Sequence, residues 1–157
     1  MKAQALPFAQ TSVPAILAGT RRQTRRILKP QPPPHTRRWY SDPRSPERWL
    51  ALAQETAAGA RAPDPSNWIV CPYGRPGTLV ALTALDGTPF AHAFLLGIRV
   101  QRLQSISLAD ALAEACTSVQ DFAGTWSERY GQAAWGANPW VWALDFRLAR
   151  PDGGEGM

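Results

Sequence analysis

A chain of 157 residues, 45% hydrophobic and 18% charged, suits one domain with its own core and excludes a disordered or fibrous polypeptide. The net charge of +5 is unevenly placed: nine of the 17 Lys and Arg residues lie between Arg21 and Arg48, against only Asp42 and Glu47. Clustered positive charge is the footprint of a protein that binds a polyanion. No stretch approaches the roughly 18 apolar residues of a membrane span. Gln4, Gln10, Thr11 and Ser12 interrupt the start too often for a signal-peptide core. Cys71 and Cys116 match no CxxC or metal spacing and read as ordinary buried or half-buried thiols. The expectation is a cytoplasmic protein with neither metal nor cofactor.

The first predicted element is a short helix from Thr11 to Ala18, with Thr11 or Ser12 as cap, Pro14 in the first turn and Gly19 at the C-cap. Four arginines follow within six residues, and Gln23 to Leu28 reads as extended. Residues 30–66 carry many prolines and little periodicity. They read as a mobile excursion within a single domain spanning 1–150, with a short helix expected from Glu47 to Ala58. "NWIVCPYGRPGTLVAL" reads as strand, turn at Tyr73 to Gly77, and strand; Asp86-Gly87 marks another turn. His92 to Ile106 is the best central strand, with Phe94, Leu96, Ile98 and Val100 on one face. Ser107 then caps a helix of about ten residues, with Asp110 in a capping-box position and Leu108, Leu112 and Ala115 on one side. Asp121 to Tyr130 reads as a second helix, pairing Phe122 with Trp126. "NPWVWALDFRL" alternates as a half-buried strand, and residues 151–157 read as a disordered tail. Short strands with helices between them predict an α+β fold: a small, partly open β-barrel with flanking short helices.

No GxSxG, phosphate-binding glycine loop or HExxH is present, and His35 and His92 belong to no recognisable constellation. The basic run is the candidate site. Arginine's planar fork binds phosphate in bidentate fashion and stacks on bases. Trp39 and Tyr40 follow Arg37-Arg38, an interleaving of cation and aromatic suited to nucleic acid. The expected nucleic-acid-binding set is Arg21, Arg22, Arg25, Arg26, Lys29, Arg37, Arg38, Trp39 and Tyr40.

"LAGTRRQTRRILKPQPPP" resembles the opening motif of the ASCH domain family, a branch of the PUA-like fold, in its bacterial and phage type. That family's signature is Gly-x-Lys-x-x-x-x-Arg; Gly19 and Arg26 fall at its ends and Thr24 where the family keeps a threonine. "CPYGRPG" resembles the turn into a barrel strand. "IRVQRLQSISLADALAEA" resembles the strand and helix that carry an acidic residue, here Glu114, and "ANPWVWALDFRL" the closing strand. The resemblance implies a PUA-like barrel with a cleft for RNA or a modified nucleoside. In some small members a Lys-Thr-Glu set hydrolyses N4-acetylcytidine, and other bacterial members are ribonucleases.

Arg21, Thr24 and Glu114 are therefore the candidate catalytic positions, with one departure: Arg21 stands at the family lysine, and a guanidinium stays protonated where an amine can act as base. A second departure follows Gly77, where "GTLVALTALDGTPF" replaces the family's "GDRLWVRETW". Both favour a binder over an efficient amidase. On the residues alone, Thr24 is equally a β-prone residue in a strand. Glu114 is equally a surface carboxylate, or a partner of Arg21 or Arg26 across the cleft.

Overall fold

The computed structural model describes residues 4–53 and 68–149. Eight strands and four short α-helices follow one another: β1 (Gln4–Pro7), α1 (Val13–Ala18), β2 (Gln23–Ile27), β3 (Arg38–Asp42), β4 (Ser45–Leu52), β5 (Trp68–Val70), β6 (Leu79–Thr83), β7 (Pro89–Arg102), α2 (Leu108–Ala113), α3 (Val119–Tyr130), α4 (Gln132–Ala137) and β8 (Trp140–Leu148). β1, β6, β7, β8 and β2 lie side by side in that order as a curled five-stranded sheet; β3, β4 and β5 form a second sheet. All pairings are antiparallel except β1 with β6. The result is the expected α+β fold, a small, partly open β-barrel with flanking short helices. No helix among the described residues is long and apolar enough to cross a membrane.

Two cores flank the five-stranded sheet. On one side Leu6, Phe8, Leu28, Leu82, Leu95, Trp142 and Leu144 pack beneath the second sheet. Trp39 meets Trp140 edge-on at 5.8 Å, and Trp49 meets Trp142 at 6.0 Å. On the other side Ala111 of α2 and Phe122 and Trp126 of α3 pack with Leu103 and Val141. β8 therefore buries both faces from Trp140 to Leu144, where alternation alone predicted a half-buried strand. Truncating a tryptophan in such a position costs about 3–5 kcal/mol.

Three further expectations change. Glu47 to Leu52 is strand rather than helix, paired with β3 and β5 and with Trp49 packed between the sheets; residues 54–58 of that expected helix lie outside the described residues, as does the tail. The proline-rich excursion thus contributes a β-hairpin, closed at Asp42, whose Oδ1 accepts from the Arg44 amide at 3.0 Å. In β7 the register shifts between Leu95 and Gly97. The extra residue, Leu96, is 53% exposed while Leu95 and Ile98 are buried, so Phe94 and Leu96 do not share a face with Ile98. In α2 the leucines Leu108 and Leu112 face solvent. The small residues Ala111 and Ala113 are buried instead, bringing the helix close to the sheet. Cys71 and Cys116 are both buried and unpaired.

Candidate functional site

β2 carries the site because its two faces meet different neighbours. Gln23, Arg25 and Ile27 face the helical layer; Thr24, Arg26 and Leu28 face the barrel. The segment before β2 is pinned at both ends. Gly19, at φ 83, ends α1 in a left-handed turn that a side chain would strain. The Arg22 amide then donates to the Ala113 carbonyl at 2.8 Å, stitching Arg21 beside Glu114 at the end of α2.

Arg21, Thr24 and Glu114 converge. Arg21 Nη2 donates to Thr24 Oγ1 and to Glu114 Oε1, both at 3.3 Å. Arg21 Nη1 donates to Ser12 Oγ at 2.7 Å, so the serine expected to cap the first helix orients the arginine instead. Thr24 is buried and also accepts from Arg26 Nε at 3.1 Å. A hydroxyl oxygen has two lone pairs, and both are engaged by guanidinium donors. Of the two readings left open for Glu114, the structure chooses the ion pair. Burial pushes its carboxyl above the usual glutamate range, against the pull of Arg21, Arg25 and Arg26.

Behind the strand lies a closed network that local sequence patterns did not reveal. Arg25 is fully buried and donates to Glu114 Oε2 at 3.0 Å, Gln101 Oε1 at 2.6 Å, Asp110 Oδ2 at 3.1 Å and Gln23 Oε1. Gln23 Nε2 reaches Asp145 Oδ1 at 2.7 Å and Asp110 Oδ1 at 3.1 Å. At the helix start Ser107 caps as expected, its Oγ accepting from the Asp110 amide at 3.1 Å, while the Asp110 carboxylate turns to Gln23, Arg25 and Arg99. Burial alone would raise the Asp110 carboxyl; hydrogen bonds from Gln23 and Arg99, and the charges of Arg99 and Arg25, hold it down at about 2. After Glu114 the chain turns through Ala115 at φ 65, a left-handed conformation that costs a β-carbon about 1 kcal/mol.

The open side is a cleft of about 280 Å³, bounded by Phe8, Arg21, Thr24, Arg26, Glu114 and Tyr130. Arg26 and Tyr130 also border an adjoining hollow of about 330 Å³ that contains Lys29, Tyr73 and Trp142. Arg26 lies over the Phe8 ring at 4.7 Å, and Arg21 over the same ring at 5.1 Å. Among the described residues no carboxylate lies within 4.0 Å of Arg26, although Glu114 and Glu128 line the same cleft. Burial, aided by the nearby charge of Arg21, lowers Arg26 to about 10. No group of three His, Cys, Asp or Glu side chains among the described residues is arranged to hold a metal ion.

The remaining expected contacts are dispersed. Arg22 is exposed on the far side of α1, along an apolar groove with Leu17 and Phe146. Arg37, Arg38, Trp39 and Tyr40 lie on the hairpin, Tyr40 edge-on to Trp68 at 6.3 Å. Ser12, Gln23, Gln101 and Asp110 were missed as site residues; the alternation of Gln23 with Arg25 along β2 was the one local signal of a shared face.

Two solved structures share this fold. An ASCH domain from Lactobacillus crispatus JV V101 shares the fold with TM-score 0.54 and 12% identity, over 94% of this chain and 79% of that one. A DUF984 protein from Enterococcus faecalis V583 shares it with TM-score 0.51 and 9% identity, over 94% and 80%. No protein-family model and no curated protein matches the sequence. At these identities the likeness carries the fold.

Proposed function

We propose that the chain binds RNA through a nucleotide, modified or not, held in the cleft at Arg26. The observation that carries this reading is the unneutralised guanidinium. Arg25 and Arg21 each have a carboxylate; Arg26 has none within 4.0 Å among the described residues, has lost much of its hydration, and faces open space beside aromatic rings. An anionic oxygen placed there recovers the charge-assisted bonds that burial removed. Tyr130, exposed at the rim, offers an aromatic surface for a base, and Lys29 in the adjoining hollow offers a second cation. Titration with N4-acetylcytidine 5′-monophosphate and with cytidine 5′-monophosphate tests the reading. Binding that weakens roughly tenfold or more in Arg26→Ala supports it. Equal affinity in that variant sinks it.

One observation favours a second reading, an amidohydrolase of N4-acylated cytidine: Thr24 and Glu114 both accept from Arg21 Nη2. Hydrolysis needs the threonine hydroxyl to lose its proton as the oxygen attacks the acyl carbon. Here that oxygen accepts two guanidinium donors and Glu114 is clamped by two more, so neither nucleophile nor base is free. A gain of cytidine from N4-acetylcytidine in Arg21→Lys, absent in the wild type, marks a decayed catalytic set. No turnover in either protein removes the enzyme reading and leaves the binding one.

A further inference from the structure

The hollow that adjoins the cleft lies between two open strand edges. β2 is the outermost strand of the five-stranded sheet and β5 that of the second sheet, and Ile27 to Lys29 face Ile69 and Val70 across the space. The Arg22–Phe146 and Leu28–Trp140 backbone bonds set the phase of β2 against β8. In an antiparallel pair the bonded residues alternate, so the N–H and C=O of Ile27 point away from β8, to the open edge. The Ile27 side chain packs in the helical layer, and what this residue offers the hollow is its main chain. Tyr73 lies half-buried on the opposite wall; burial raises its pKa, which keeps the phenol a neutral donor. Among the described residues its hydroxyl has no hydrogen-bond partner and its ring no stacking one. Lys29 is exposed at the mouth, with no carboxylate within 4.0 Å among the described residues. Arg26 and Tyr130 stand on the border that the hollow shares with the cleft.

We propose that cleft and hollow together hold two consecutive nucleotides of an RNA chain, with the phosphodiester between them on Arg26, the downstream nucleoside in the cleft and the upstream one between β2 and β5. Arg26 is one cation between two spaces, and a phosphodiester is one anion between two nucleosides. At about 280 and 330 Å³ each space alone falls at the lower end of the roughly 300–1,000 Å³ of small-molecule sites, whereas the pair joined at Arg26 falls well inside that range. The free N–H and C=O of Ile27 and the Tyr73 hydroxyl can pair with the edge of a base, and Ile69 and Val70 give it apolar contact. A peptide strand laid between the two edges would use the main-chain groups but bring no anion to Arg26 or Lys29, so the nucleic acid is the better fit. The inference rests on the reading of the cleft as a nucleotide site and makes its ligand an internal step of a chain.

The test compares two ligands by calorimetric titration at matched low salt: cytidine 5′-(methyl phosphate) and uridylyl-(3′→5′)-cytidine. Both carry one cytidine and one diester charge; only the second carries an upstream nucleoside. The wild type is expected to bind the dinucleotide about fivefold or more tightly than the methyl ester, the gain from one further base in contact. Tyr73→Phe keeps the ring and loses the hydroxyl, and is expected to weaken the dinucleotide about fivefold while sparing the methyl ester. Val70 is 60% exposed, so Val70→Trp fills the hollow without disturbing the core and is expected to abolish the dinucleotide's advantage. Equal affinity for the two ligands in the wild type overturns the inference. An advantage that survives both substitutions overturns it as well, by placing the upstream nucleoside elsewhere. Loss of cytidine 5′-monophosphate binding in Arg26→Ala, with no preference for the dinucleotide in the wild type, removes this inference and leaves the cleft reading standing. Unchanged binding of that mononucleotide in Arg26→Ala removes the cleft reading, and the phosphodiester anchor with it.

Discussion

Arg25 and Arg26 are neighbours in sequence and opposites in the fold. Arg25 points into the helical layer, is fully buried and donates to four side-chain oxygens on three elements. Arg26 points to the barrel side, lies on Phe8 and, among the described residues, hydrogen-bonds one side chain, the Thr24 hydroxyl. The same residue type is structural on one face of β2 and available on the other. In a basic motif, charge alone does not identify the ligand-binding residues; the arginine whose charge is left uncompensated does.

The largest expected effect separates the two directly. Glu114→Ala strips Arg25 of its closest carboxylate and leaves the buried guanidinium with Asp110 alone, at a cost of about 3 kcal/mol. For a chain of this size that lowers the melting temperature by roughly 10 °C. Arg26→Ala removes a partly exposed cation without a carboxylate partner and is expected to shift melting far less. Equal losses in the two variants, measured by thermal unfolding, break the distinction.

Acid provides the next test. The folded Asp110 carboxyl sits at about 2, below the ordinary value of 3.8, so it contributes stability above about pH 4. That contribution is lost as pH falls from 4 towards 2. The melting difference between wild type and Asp110→Asn is therefore expected to shrink across that window. A constant difference contradicts the coupling of Asp110 to Gln23, Arg99 and Arg25.

The smallest effect has the opposite sign. Ala115 holds a left-handed conformation at the exit from Glu114. Ala115→Gly relieves that strain but frees the unfolded chain, for a net gain of roughly half a kcal/mol. A loss of stability instead places the strain elsewhere in the loop.

Much of this was legible in the chain. The helix start at Ser107 followed from the spacing of Ser107 and Asp110, and β8 from strict alternation. The convergence of Arg21, Thr24 and Glu114 came from the family resemblance; the spacing of the residues did not supply it. Alternation along β2 says that Arg25 and Arg26 part company. Which of them is buried depends on Asp110 and Glu114, 85 and 89 residues away, and no local pattern carries that. The β3–β4 hairpin was hidden for a related reason. "ERWLAL" is rich in helix formers, and only packing of Trp49 on Trp142 makes it a strand. The bulge at Leu96 inverted the reading of β7 because one inserted residue exchanges the two faces of everything beyond it.

The central claim is that Arg26, not Arg25, is the arginine of this motif left for a ligand. Calorimetric titration of wild type and Arg26→Ala with N4-acetylcytidine 5′-monophosphate, at matched low salt, tests it most directly. The account predicts measurable binding to the wild type and a loss of roughly tenfold or more in a variant that melts close to the wild type. Undiminished binding in Arg26→Ala, or none to the folded wild type, contradicts it.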